Sequence, residues 1–254
     1  MGKHLPRQVR SVLRVWLTPL SKPQQPQALL YLAGLLWIIR FRSLREIAAP
    51  FAASLDRLQH LLSCSIPCAR ALQHPQQRHL ARLAPSHSEP LLALDDTPCA
   101  RNGRRIEGLG LHHSAKGLVR GWCAVTTMLK LGPQRFLWAV RAYRPKKGCP
   151  RGQFHSKIDL AIEIVREATA HLARDGLTVL MDSGYACARL LVSIHEAGWT
   201  YVAAVRSNRL VRLSGRPGKT SVRSLAKSRH GWRTARAGQK RRYQARRVRA
   251  WLPP

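Results

Sequence analysis

Between residues 28 and 83 apolar positions recur at three- and four-residue spacing, as in Leu44, Ile47 and Ala48 and then Leu55, Leu58, Leu61 and Leu62. This is the period of helices with one buried face, and it predicts a small helical domain over 28–83. Pro50, Pro67, Pro75 and Pro85 punctuate the pattern, and "APSHSEP" (84–90) has the composition of a linker. Residues 1–27 carry Pro6, Pro19, Pro23 and Pro26, several basic residues and no acid, which reads as a basic flexible arm. The greasiest stretch, "ALLYLAGLLWII" at 28–39, is 12 residues long. A membrane span needs about 20, so this is a core helix and no membrane partner is expected.

Past the linker the period shortens. "LLALDD" (91–96) reads as a buried strand ending at Asp95 or Asp96, and "GWCAVTTML" (121–129) and "RFLWAVRAY" (135–143) as the next two strands. A basic loop, "RPKKGCPRGQ", leads to "HSKIDLAIEIVREATAHLARDG" (155–176), where Ile158, Ala161, Ile162, Val165 and Ala168 mark a helix stopped by Gly176. "LTVLMDSG" is then an apolar strand ending in Asp182, followed by the helix "ACARLLVSIHEAG" and the strand "TYVAAVR". The predicted order over 91–210 is β-β-β-α-β-α-β, a mixed α/β sheet flanked by helices. A basic tail occupies 211–254.

Asp96 and Asp182 therefore hold equivalent places, each at the carboxyl end of a buried strand. On adjacent strands their carboxylates would lie close together, and clustered carboxylates attract a cation to relieve their repulsion. Oxygen-only ligands suit Mg²⁺ or Mn²⁺. Two such ions, about 4 Å apart, can activate a water or a hydroxyl and stabilise the leaving oxygen of a phosphodiester. The same short sequences also make ordinary turns and helix caps, so strand-end placement is what singles out these acids.

Charge bears on the substrate. Lys and Arg number 44 against 12 Asp and Glu, a formal charge of +32. Such a field concentrates polyanions, and nucleic acid is the partner it favours. "RSNR" after the last strand offers Arg206 and Arg209 to phosphate, and the tail offers Lys240, Arg241 and Arg242. Trp232, Tyr243 and Trp251 are interspersed there for stacking on bases or for packing. The six cysteines are scattered and no secretory signal precedes them, so they are expected to be reduced thiols in the cytoplasm. Cys64 and Cys68 with His60, His74 and His79 fit no standard zinc spacing.

"LALDDT" with "RNGRRIEGLG", then "VRGWCAVTTML", "FHSKIDLAIEIV" and "VLMDSGYACARLLVSIHEAGWTYVAAVRSNR", resembles the DDE transposases of bacterial insertion sequences, whose catalytic domain is ribonuclease H-like. "RSLREIAAPFAASLDRLQHLL" resembles the helical domain preceding that core. The resemblance runs from about residue 28 to 215. It implies a ribonuclease H-like core over 91–210, Asp96 (the acid directly before Thr97) and Asp182 as the first two catalytic metal ligands, and Mg²⁺ or Mn²⁺ as cofactor. It further implies terminal inverted repeats as DNA partner, cleavage followed by strand transfer, a cytoplasmic, nucleoid-associated setting, and assembly as a homo-oligomer or with an intact transposase.

The family's third acid, a Glu in a Tyr-x2-Arg-x3-Glu-x6-Lys pattern, has no counterpart. Residues 197–254 contain 16 basic residues and no carboxylate; Tyr243 and Arg246 match the pattern's first half, but Ala250 stands at the Glu position. Glu196 lies at the far end of a helix, about 20 Å from the strand end. Asp159, Glu163 and Glu167 share a helical face, where an acidic stripe is usually solvated. The expectation is a C-terminally truncated, inactive copy, the tail being the start of an insertion; the alternative is a non-catalytic DNA-binding remnant that inhibits an intact transposase.

Overall fold

The structure, a computed structural model, describes the chain except residues 1–5, 38–42, 64–68, 87–88, 102, 104–107, 115–116, 174–175, 216, 228–232, 238–240, 246–249 and 252–254. Five helices come first: α1 (Arg7–Trp16), α2 (Gln24–Trp37), α3 (Leu44–Ala48), α4 (Leu55–Ser63) and α5 (Ala69–Leu83). Residues 7–16 are thus a helix and not part of a loose arm. Pro6 stands before the first turn and Pro26 within the first turn of α2, where the missing N–H removes no helical bond. Leu17 and Leu20 then bury against Ala28 and Leu61, which ties the N-terminal segment to the other helices.

The strands and remaining helices follow as β1 (Leu91–Ala100), β2 (Gly110–Ser114), β3 (Gly117–Leu131), β4 (Gln134–Tyr143), α6 (Lys157–Thr169), β5 (Thr178–Met181), α7 (Ala188–Glu196) and β6 (Thr200–Ala203). β1, β3 and β4 are antiparallel neighbours, whereas β1, β5 and β6 run parallel, joined by the α6 and α7 crossovers. This is the ribonuclease H-like mixed sheet that the sequence predicts. β2 extends it by pairing with the first residues of β3. At that junction β1 crosses β3 so closely that a Cβ on Gly121 would fall 2.1 Å from the Cys99 carbonyl oxygen. Only glycine fits there.

The main core gathers Leu92, Leu94, Val125, Leu129 and Trp138 of the sheet with Ile164 and Val165 of α6 and Leu190 and Ile194 of α7. Helix α5 joins it through Leu80 and so packs with the sheet as well as with the other N-terminal helices. It runs through Pro75, and side chains fix it to β4. Gln76 donates to the Leu137 carbonyl at 2.6 Å, Gln77 to that of Trp138 at 3.2 Å and Gln73 to that of Val140 at 3.5 Å. The ladder shifts register beside Trp138, and these amides reach the edge strand there.

Beyond β6 the chain forms β7 (Leu210–Leu213), β8 (Thr220–Ser221), α8 (Val222–Lys227), β9 (Arg233–Ala237), β10 (Arg241–Ala245) and β11 (Ala250–Trp251). β7 pairs with β8 and β11, and β9 pairs with β10 as a separate ribbon. No helix among the described residues is long and apolar enough to cross a membrane.

Candidate active site

The parallel β1/β5 ladder has four rungs, from Leu91 opposite Thr178 to Leu94 opposite Met181. There β5 stops and the chain turns at Asp182. β1 does not stop: Asp95 to Ala100 continue the antiparallel ladder with β3. The expectation that Asp96 ends its strand is therefore corrected, because β3 is longer than its apolar run suggests and carries β1 onward. Pro98 falls in this stretch, where β1 has become an edge strand, a setting that tolerates proline. The two acids still come to the same place in the sheet, Asp182 one residue and Asp96 two residues past the last shared rung.

Leu92, Leu94 and Asp96 alternate onto one face of β1, and α6 meets Asp96 on that face. Lys157, the first residue of α6, forms an ion pair with Asp96 through Oδ2. The Cys123 thiol donates to the same oxygen at 3.6 Å. The Lys157 ammonium also lies 5.4 Å from the centre of the Tyr143 ring, and Tyr143 pairs with Cys123 across β4 and β3. Burial alone would lower the Lys157 pKa, but the hydrogen bond to Asp96 and the negative charge around it raise it instead. Burial pushes the Cys123 thiol up, so it stays protonated as a donor.

Asp182 is exposed, and its Oδ1 accepts the Gly184 backbone N–H at 2.8 Å. The turn closes with Tyr185 N–H on the Asp182 carbonyl at 3.3 Å and leads into α7. Tyr185 is 2% exposed, and its hydroxyl has no hydrogen-bond partner among the described residues. Burial, then the negative charges of Asp96, Asp95 and Asp182, push its pKa up, so the phenol keeps its proton. A buried, protonated hydroxyl thus stands among the acids.

Past Asp182 opens a cleft of about 540 Å³ lined by Ser183, Gly184, Arg206, Asn208, Arg209 and Lys219 among others. The Arg209 backbone is pinned on both sides, its N–H donating to Arg206 and its carbonyl accepting from Val222, each at 2.9 Å. Arg206 and Arg209 thus share one basic cleft beside the second acid, joined by Lys219, which sequence reading missed. Lys240 lies outside the described residues; Arg241 and Arg242 fall in β10, with side chains that are not described. Cys64 and Cys68 also lie outside the described residues.

The acidic stripe on α6 is engaged elsewhere. Asp159 closes a capping box with Ser156 and pairs with Arg189 at 2.7 Å, and Glu167 pairs with buried Arg141. Among the described residues no three His, Cys, Asp or Glu side chains are grouped closely enough to hold a metal ion. The donor chemistry at Asp96 and Asp182 nevertheless fits a hydrated Mg²⁺, which keeps several waters and needs one or two carboxylates.

Lys157, Tyr143, Cys123 and Tyr185 went unnoticed in the sequence. Lys157 had a legible signal: a lysine at the first position of a helix opposes the helix dipole, which favours acids there.

A mixed sheet of this topology, flanked by helices, defines a ribonuclease H-like fold, and two aspartates stand where its parallel strand β5 ends, beside a basic cleft. The chain belongs to the DDE superfamily endonucleases, whose family model matches residues 17–251. Among solved structures it is similar to a piggyBac transposase chain in a synaptic complex with hairpin DNA. The two are 13% identical with a TM-score of 0.42, over 94% of this chain and 49% of that one, so this chain spans about half of that chain's length. No curated protein matches it.

Proposed function

We propose that this chain is a transposase-type protein that holds DNA by its phosphates and presents Asp96 and Asp182 to a divalent metal. The observation that carries this reading is the placement of both acids where β5 ends, beside the cleft of Arg206, Arg209 and Lys219. Family membership supports cleavage and joining at insertion-sequence ends as the ancestral reaction, with terminal inverted repeats as substrate and a second transposase subunit as partner. The net charge of +32 supports phosphate contact over a wide surface.

A divalent ion bound between the acids would polarise a phosphodiester oxygen and lower the pKa of an attacking water or hydroxyl. Asp96 and Asp182 would hold it by oxygen atoms. Gly184 N–H fixes the Asp182 carboxylate, and the basic cleft would anchor the strand on the Asp182 side.

We also propose that this chain binds DNA without cutting it. Two ions require oxygen ligands beyond two aspartates, and among the described residues no third acid is grouped with Asp96 and Asp182. Charge developing on the attacking and leaving oxygens is then met from one side only, a deficit worth about a hundredfold or more in rate. A DNA-binding chain of this kind would oppose an intact transposase by occupying its ends. The test is a nicking assay on supercoiled DNA in Mg²⁺ or Mn²⁺, run beside a binding assay, with Asp182→Ala as control. Binding without nicking is expected. Nicking that disappears in Asp182→Ala would overturn the inactivity, and absence of binding would overturn the whole reading.

A further inference from the structure

We propose that Lys157 is the resident counter-ion of Asp96: its ammonium takes the place on that carboxylate that a divalent cation would need, and DNA phosphate draws it away. The inference rests on the metal-site reading of Asp96 and deepens it by assigning a gate to the site. Metal then enters with DNA and not before it.

The position of the lysine is the first argument. Lys157 opens α6, at the end of the helix where the backbone already presents partial positive charge. The start of α6 is fixed without it, by the reciprocal bonds of Ser156 and Asp159. Nothing in the helix calls for a cation there, whereas Asp96 does.

The contacts are the second argument. Lys157 meets Asp96 at Oδ2, the oxygen that also accepts from Cys123, while the face of Tyr143 supports the ammonium from behind. A divalent cation on Asp96 meets this ammonium as a like charge, and one that binds through Oδ2 must displace the bond. The pair is also reachable, since the side chains are 29% and 22% exposed, so ion and phosphate can both approach. An ammonium carries three N–H donors, which lets Lys157 transfer to a phosphate oxygen without losing hydrogen bonds. The transfer breaks no covalent bond and moves no proton. It exchanges one charge partner for another, leaving Asp96 free for the metal.

The test is Mn²⁺ binding to the whole chain, followed by the electron paramagnetic resonance signal of free Mn²⁺, with and without a short DNA duplex. Wild type is expected to bind Mn²⁺ weakly alone and more tightly with DNA. Lys157→Met should bind on the order of tenfold more tightly without DNA, the scale of one partly buried charge interaction, and gain little when DNA is added. Lys157→Arg should behave as wild type, because a guanidinium keeps the charge. Circular dichroism checks that each variant is folded, and should Lys157→Met fail to fold, Lys157→Gln takes its place. Equal Mn²⁺ affinity in wild type and Lys157→Met would overturn the proposal, as would a wild-type affinity that DNA leaves unchanged. Asp96→Asn separates the two readings. If it weakens Mn²⁺ binding while Lys157→Met does nothing, only the gate fails; if it leaves Mn²⁺ binding unchanged, the metal site itself fails and the gate with it.

Discussion

Leu94 of β1 and Met181 of β5 form the last rung of the parallel ladder, and an aspartate follows each in the chain. Asp95 and Asp182 are thus level in the sheet, whereas Asp96 alternates onto the face that α6 covers. The Asp95 carboxylate is exposed and turns back to accept the Asp96 backbone N–H at 2.8 Å. Asp96 is the acid that Lys157 and Cys123 contact. Substituting Asn at each position should therefore separate their roles. Asp96→Asn and Asp182→Asn should weaken Mn²⁺ binding at least about tenfold, and Asp95→Asn much less, the lower end of what even outer contacts to a metal are worth. An equal loss at Asp95 would transfer the first-ligand role to it.

The Arg141 and Glu167 pair joins β4 to α6 in the interior, with side chains 6% and 16% exposed, and Gln73 of α5 accepts from the same guanidinium at 2.8 Å. Removing one partner strands a buried charge. Glu167→Gln or Arg141→Met should lower unfolding free energy by about 3–5 kcal/mol, read as a shift in urea midpoint. Replacing both by apolar residues of similar volume should recover most of it. Additive losses in the double variant would show that the pair is not coupled.

Hydrogen bonds from Ser156, hydroxyl first, together with Arg189 hold the Asp159 carboxyl down at about 2, below its ordinary 3.8. The unfolded chain takes up this proton first as pH falls. The contribution to stability is therefore complete above pH 3.8 and is lost as pH falls through about 2. Ser156→Ala should cost about 1 kcal/mol at neutral pH, the usual worth of a helix cap, and flatten this acid limb. Urea midpoints measured across that range would show it. A Ser156→Ala curve parallel to wild type would remove Asp159 as the cause.

Phosphate contacts release counterions, so DNA affinity should fall steeply with salt and depend little on sequence. Arg206→Ala and Lys219→Ala should each lower the slope of log K against log salt by about one and weaken binding to unrelated duplexes alike. Equal slopes in wild type and both variants would place the phosphates away from this cleft.

Much of the sheet was legible because its chemistry is local. Leu92 and Leu94 before the acids, the 155–176 helical period and the apolar run ending at Met181 each declare an element by its own residues. β2 was not legible, since "GLHHS" carries no apolar alternation and becomes a strand only because β3 extends to meet it. For the same reason Asp96 was placed at a strand end. α1 was hidden by the prolines around it, whose helix-compatible positions depend on where the turns fall. At the site, the acids and Arg206 with Arg209 could be named in advance. Lys157 and Tyr185 could not be joined to Asp96, because 61 and 89 residues separate them and only the folded sheet closes those distances.

The three glutamine amides along α5 have a further consequence. They hold a helix over the outer side of β4, one of the edge strands at which this sheet would otherwise lie open to strand-by-strand growth. A fragment starting at Leu91 would keep the acids and the basic cleft yet expose that seam, and copies of it would stitch together into insoluble ribbons. The first eighty or so residues act as a selvedge, the woven border that keeps a cloth from unravelling or catching on its neighbour.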